Sequence, residues 1–166
     1  LGVEMPDAGG AVEKFFLQLN GVERQLGIAA REANLSRVQP ASVAQFDHVD
    51  VLVNNAGGGF RSAFVDVNDK GQDALVRENF HSVTHGVRAF APHFPVSGGS
   101  IINVTSIEAH RAAPDFAVYS AMKAAVTQLS RTLSVELAPE GIRVNNVAPD
   151  MTPTDGMRKI TADAPG

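Results

Sequence analysis

Val51-Leu52-Val53-Asn54-Asn55-Ala56-Gly57-Gly58-Gly59 decides how this chain folds. A short apolar run that gives way to two asparagines and three glycines reads as a buried strand running into a loop. The sequence after it alternates. Val76, Phe80, Val83, Val87 and Phe94 form an apolar stripe at helical spacing, with Pro92 and Pro95 marking its end. Gly98-Gly99 then opens a second strand, Ile101-Ile102-Asn103-Val104. A second helical stripe, Val118, Met122, Val126, Leu129, Leu133 and Leu137, is stopped by Pro139 and Gly141. Ile142-Arg143-Val144-Asn145-Asn146-Val147 is the third strand. The order β-α-β-α-β predicts an α/β fold, a parallel sheet with right-handed crossovers. Ligands of such sheets gather at the carboxyl ends of the strands. Asn54, Ser106 and Pro149 all fall at that edge.

The upstream signals are weaker. Val12, Phe15, Phe16 and Leu19 have helical spacing, yet Phe15 to Leu19 is short enough for a buried strand. Asn20-Gly21 is a turn signal, Leu26 to Ala33 reads as helix, and Pro40 opens a short helical turn over Gln39 to Val43. No repeat or low-complexity tract interrupts the chain.

At 166 residues this is one domain with enough apolar content for a core. A net charge of -4 and a pI near 5.7 leave no basic face for phosphates, so no nucleic-acid partner is expected. The absence of cysteine excludes disulfides and thiolate metal sites. His81, His85 and His93 show no metal-ligand spacing with carboxylates, and no metal is expected. There is neither a long apolar run nor a basic, apolar leader at residues 1–7, so no membrane span is expected and cytoplasm is the default location. The first residue is Leu1 rather than Met, which suits a fragment.

The chemistry gathers around the one tyrosine. Tyr119 and Lys123 are four apart on one helix and share a face. An ammonium group beside a phenol favours the phenolate, which would bring its pKa toward neutrality, where a group both gives and takes a proton. Ser106 ends a strand and could hold a substrate oxygen near Tyr119. Asn79 sits mid-helix, where asparagine is a poor helix former and can bind a water linking Lys123 to solvent. Taken singly these are ordinary residues: a serine cap, an amphipathic surface pair, a polar helix position. Glu108, His110, Arg111 and Asp115 lie in the loop before the Tyr119 helix, where charges are normally just solvated; Asp115 is a candidate N-cap.

Order and spacing make the set specific. With Asn54-Asn55-Ala56-Gly57, Asn79, Ser106, Tyr119-Ser120-Ala121-Met122-Lys123 and Ile142 to Pro149, the chain resembles the short-chain dehydrogenase/reductase family over about residues 49–157. The resemblance implies a Rossmann-like parallel sheet with flanking helices, incomplete in its N-terminal half and at its C-terminus. It implies one domain over 1–166, with 1–48 a shortened cofactor-binding half. It implies an oxidoreductase interconverting a small alcohol and a carbonyl, with NAD or NADP carrying the hydride. Tyr119 would be the general acid/base and Ser106 would orient the substrate. Lys123 would hold the nicotinamide ribose and Asn79 would support a proton relay. Asn54, Ala56 and Gly57 would line the cofactor groove, with Pro149 and Thr152 beyond the last strand. Members usually associate through the Asn79 and Tyr119 helices, which implies a homodimer or homotetramer; Ala117, Ala121 and Ala124 offer a small-residue face.

Three departures qualify this. The family's phosphate-binding turn reads Thr-Gly-x3-Gly-x-Gly; the nearest stretch, Asn20 to Gly27, keeps Gly21 and Gly27 but has Gln25 at the middle glycine and adds Glu23. Only 26 residues separate Gly27 from Asn54, too few for the intervening units. Asp150 follows Pro149, where the family usually has glycine. The alternative function is therefore a non-catalytic remnant or fragment that keeps the fold and oligomerises without productive cofactor binding.

Overall fold

The computed structural model describes residues 12–19, 22–29 and 47–152. Five strands build one sheet: β1 (Val12–Leu19), β2 (Val22–Ala29), β3 (Val51–Asn54), β4 (Gly99–Val104) and β5 (Ile142–Val147), in the spatial order β2-β1-β3-β4-β5. The three strands read from the sequence are β3, β4 and β5, and they pair in parallel, Leu52 opposite Ile101 and Ile101 opposite Val144.

Between β3 and β4, helix α1 (Asp69–Val76) passes through a π-helical turn, Arg77–His81, into α2 (Ser82–Phe90). Asn68 caps α1 by accepting from the Gly71 N–H at 2.9 Å. Pro92 lies in the short turn that ends α2. Helix α3 (Ala117–Glu136) joins β4 to β5. It stops where Pro139 enters a 3-10 turn and Gly141 takes a left-handed φ of 72°, a conformation glycine adopts without penalty.

Both helical segments pack on one face of the sheet. Period-two alternation puts Leu52, Ile101, Ile142 and Val144 on that face, where they meet Val83, Val87 and Phe90 of α2 and Val126 of α3. Leu129, Leu133 and Leu137 close the rim. Val51, Val53, Ile102 and Val104 face the other way and stay half-buried. Among the described residues no helix is long and apolar enough to cross a membrane.

The N-terminal part departs from expectation. Phe15 to Leu19 lies in a strand, but Leu26 to Ala29 is strand rather than helix: β1 and β2 pair antiparallel, Val12 opposite Ala29 and Leu19 opposite Val22. β1 also runs antiparallel to β3, Phe15 opposite Asn54 and Gln18 opposite Val51. The exit of β1 therefore lies at the sheet edge away from Asn54. The expected turn at Gln39 to Val43 lies outside the described residues.

Candidate active site

The carboxyl ends of β3 and β4 and the first turns of α3 bring Tyr119, Lys123, Ser106 and Asn79 together. Lys123 is the anchor. Its side chain runs inward from α3, is 5% exposed, and its Nζ donates to the Val104 carbonyl at 3.0 Å. That Nζ stands 5.6 Å from the centre of the Tyr119 ring. Burial disfavours the ammonium form and lowers the Lys123 pKa to about 8.

Tyr119 is half-buried. Its ring packs against the backbone of Gly59, where a Cβ would lie 3.4 Å from Cδ2, and meets Phe116 edge-on at 6.3 Å between centres. Burial raises its pKa; a hydrogen bond with the Ser106 hydroxyl pulls it back, and the Glu108 carboxylate adds to the rise. This reverses the expectation that Lys123 brings the phenol toward neutrality. Desolvation is the largest influence on the phenol, and burial likewise lowers the ammonium's own pKa.

Asn79 sits in the π-turn, where the extra residue in the helical repeat turns it fully into the protein. Its Nδ2 donates to the carbonyls of Gly58 at 2.8 Å and Leu75 at 2.9 Å. Its Oδ1 is buried with no partner among the described residues. Gly57 explains how this group reaches Lys123: a Cβ there would lie 2.7 Å from Asn79 Oδ1 and 2.9 Å from Lys123 Nζ. Only a glycine lets the β3 loop pass between them.

Ser106 lies two residues past the end of β4 and caps the short turn Ile107–Ala109, its Oγ accepting from the Glu108 N–H at 3.2 Å. The exits of β4 and β5 are stitched by Thr105 N–H to Val147 O at 2.8 Å and Ile107 N–H to Pro149 O at 3.0 Å. Charged side chains add a third tie: Arg111 donates to both Glu108 carboxylate oxygens, at 2.8 and 3.3 Å, and to Asp150 Oδ1 at 3.1 Å. Asp115 does not cap α3. It has a positive φ of 67° and pairs with Arg61 at 2.9 Å, tying the loop after β3 to the start of the helix. The signal for this pair was two opposite charges in the two loops that flank Tyr119. Thr152 lies on the exposed chain after β5, its hydroxyl donating to Asp150 O at 3.1 Å.

Asn54 acts inside the sheet rather than in an open groove. Its Nδ2 donates to Asn103 Oδ1 at 2.7 Å, and Asn103 Nδ2 donates to Ser130 Oγ at 2.8 Å, a buried ladder across β3, β4 and α3. Ala56 is buried beside it, while Gly57 is open to solvent.

The residues present suit one end of a nicotinamide dinucleotide. Tyr119, Lys123, Gly57 and Pro149 lie at one sheet edge, and Gly57 leaves room for a close approach. The pyrophosphate end lacks a counterpart among the described residues. Gly27 lies inside β2 opposite Lys14 and opens no helix, so the expected phosphate turn is not formed there. Gly21 lies outside the described residues. Among the described residues no group of His, Asp and Glu is arranged to hold a metal ion.

Comparison with known proteins gives the family and the fold. Residues 23–165 match the family model described as short chain dehydrogenase. An uncharacterized oxidoreductase of Staphylococcus epidermidis is 30% identical, with 82% of this chain and 64% of that protein covered. Carbonyl reductase [NADPH] 2 of Sus scrofa is 37% identical over 69% of this chain and 48% of its own. The crystal structure of a 3-ketoacyl-(acyl-carrier-protein) reductase from Brucella melitensis, complexed with NADH, superposes with a TM-score of 0.74 at 32% identity, covering 78% of this chain and 55% of that one. The chain thus spans between about half and two-thirds of the length of these relatives.

Proposed function

The chain belongs to the short-chain dehydrogenase/reductase family, and from that premise we propose that it serves alcohol/carbonyl interconversion with Tyr119 as the general acid/base. The observation that carries the reading is the meeting of three groups: the Tyr119 phenol, the Ser106 hydroxyl that favours its ionised form, and the buried Lys123 ammonium one helical turn on.

Tyr119 stays protonated through the neutral range because burial raises its pKa, which suits it to hand a proton to a carbonyl oxygen. Ser106 holds that oxygen and steadies charge developing on it. Lys123 and the free Oδ1 of Asn79 flank Gly57, and together they support a path that returns a proton from solvent to the phenol. NAD or NADP, when bound, supplies or accepts the hydride. Tyr119, Lys123, Gly57, Pro149 and Thr152 would hold its nicotinamide half, with Asn54 and Ala56 bracing the sheet end beneath it. The substrate class is a small alcohol or carbonyl compound.

The test is binding of NADH and NADPH, then turnover on a panel of carbonyl compounds, with Tyr119→Phe as the control. Loss of the proton donor should lower kcat by about 10²- to 10⁴-fold with nicotinamide affinity retained. Undiminished turnover in the variant removes Tyr119 from its role.

The second reading, a family remnant without productive cofactor binding, is favoured by the antiparallel β1. Its exit points away from the edge where Lys123 and Tyr119 lie. This reading requires that calorimetry with either dinucleotide shows no binding, and micromolar affinity ends it.

Association through the helices is part of the proposal. Ala117, Ala121, Gln128, Thr132 and Val135 form an exposed stripe along α3, with small side chains that permit close packing against a second copy. Ala121→Glu should convert a dimer to a monomer in light scattering. A wild-type chain already monomeric at high concentration defeats this part.

A further inference from the structure

We propose that Arg111 is a positioning residue: it fastens the turn carrying Ser106 to the turn carrying Pro149 and holds the Glu108 carboxylate at a fixed place beside the Tyr119 phenol. Its guanidinium spans both turns, gripping the two Glu108 oxygens at 2.8 and 3.3 Å and Asp150 Oδ1 at 3.1 Å. A planar fork suits such a two-point grip, and lysine cannot reproduce it. Asp150 is fixed in turn, its Oδ1 accepting from the Met151 N–H at 2.8 Å. Glu108 is tied to the site by its own backbone, whose N–H donates to Ser106 Oγ. Ser106 is also the hydroxyl that favours the Tyr119 phenolate, so the influence of Arg111 reaches the phenol through Glu108 and Ser106.

The charges around Tyr119 make the consequence specific. On its own helix stands Lys123, whose ammonium is already weakened by burial. From the turn after β4 come Glu108 and, behind it, Arg111 with Asp150; His110 at the end of that turn is exposed. From the loop after β3 comes Arg61, spent on Asp115. From the π-turn comes Glu78, whose Oε2 would lie 3.3 Å from a Cβ at Gly58. Glu108 is thus the carboxylate that bears on the phenol, and Arg111 partly cancels it. Without Arg111 the carboxylate is both unneutralised and unheld.

The inference depends on Tyr119 being the acid/base only for its effect on rate, and its test does not require turnover. The chain has one tyrosine and no tryptophan, so ultraviolet difference absorbance during an alkaline titration reads the Tyr119 phenolate alone. Glu108→Gln should lower the midpoint by about half a pH unit, the order of a Coulomb effect of one carboxylate charge through a water-rich surrounding. Arg111→Gln should raise it by a similar amount. The double variant should return to the Glu108→Gln midpoint, because Arg111 acts through Glu108. Arg111→Lys keeps the charge without the fork, so it should fall between wild type and Arg111→Gln, and it carries the test if Arg111→Gln unfolds in alkali. With folds verified by circular dichroism, the proposal is overturned by an unmoved midpoint in Arg111→Gln. It is equally overturned by a shift of the same size in the Glu108→Gln background, or by Arg111→Lys titrating like wild type. A chain that shows these shifts but no turnover keeps this inference and loses the enzymatic reading.

Discussion

The β1–β2 hairpin and the β3–β5 segment share a sheet but are held in it by different means. The hairpin leans on the rest through one antiparallel edge, Phe15 to Gln18 against Asn54 to Val51. The parallel strands are covered by α2 and α3, share a continuous apolar core, and are cross-linked by the Asn54–Asn103–Ser130 ladder. All four proposed catalytic groups hang from the parallel segment: Asn79 before β4, Ser106 after it, Tyr119 and Lys123 on α3. The lesson is that, on the proposed reading, proton handling and dinucleotide binding draw on different parts of the sheet. The first needs only β3 to β5 and their crossovers, whereas the second also needs a phosphate turn at the same edge, which the direction of β1 does not provide.

The most damaging change should be in the core of the parallel segment. Phe90 is fully buried at the end of α2 against the sheet. Phe90→Ala should cost about 3–5 kcal/mol in urea unfolding. Amide exchange should quicken in β4 and the hairpin together, because β1 pairs with β3 on one side and β2 on the other. Faster exchange in β4 with an unchanged hairpin would show that the hairpin stands by itself, and the comparison would fail.

The next effect belongs to Lys123 and is set by pH. Its pKa falls from the ordinary 10.5 to about 8 on folding, so the unfolded chain binds more protons between those values. Stability from this group is fully present above pH 10.5 and is lost as pH drops to about 8. The full difference is about 3 kcal/mol. Tyr119 works in the opposite sense: its raised pKa leaves stability intact below the unfolded value near 10 and removes it as pH climbs through the folded one. Denaturation midpoints should therefore rise from pH 8 toward pH 10 and then decline. Lys123→Met should flatten the rising limb. A wild-type limb that is already flat would mean the ammonium is solvated, and the buried geometry of the site would be wrong.

These expectations trace to what the sequence made legible. The parallel segment was readable because each of its elements carries two agreeing signals, an apolar period and a breaker: Val51–Val53 before Gly57, the α3 stripe before Pro139 and Gly141. Tyr119, Lys123, Ser106 and Asn79 stood out as a set through the order and spacing that resemble the family, with Tyr119 and Lys123 one helical turn apart. The hairpin was misread past Gly21. Asn20-Gly21 is also a strong hairpin pair, but Val22 to Ala29 mixes Glu23, Arg24 and Gln25 with Leu26 and Ile28, and its helical reading rested on local pattern alone. Pairing with β1 across the turn, from Leu19 opposite Val22 to Val12 opposite Ala29, puts it in a strand. The π-turn at Asn79 left no composition signal; it shows only as the burial of a polar residue in a helix. The direction of the Tyr119 shift was misjudged because spacing reports neighbours and not desolvation.

The smallest effect tests whether surface charges matter to the parallel segment at all. Arg61 and Asp115 join its two site-flanking loops at 2.9 Å, but both side chains are more than a third exposed. An exposed pair of this kind contributes about 0.2–1 kcal/mol and is screened by salt. Arg61→Ala should therefore lower the urea midpoint slightly at low ionic strength and hardly at all in high salt. Asp115 keeps its positive φ through a second tie, its carbonyl accepting from the Ser62 N–H at 3.0 Å, so the backbone of the clasp survives the loss of the charge. A salt-independent loss of several kcal/mol would show that the ion pair, and not the core beneath it, holds the loop over Tyr119. The parallel segment would then depend on its rim as the hairpin depends on its edge.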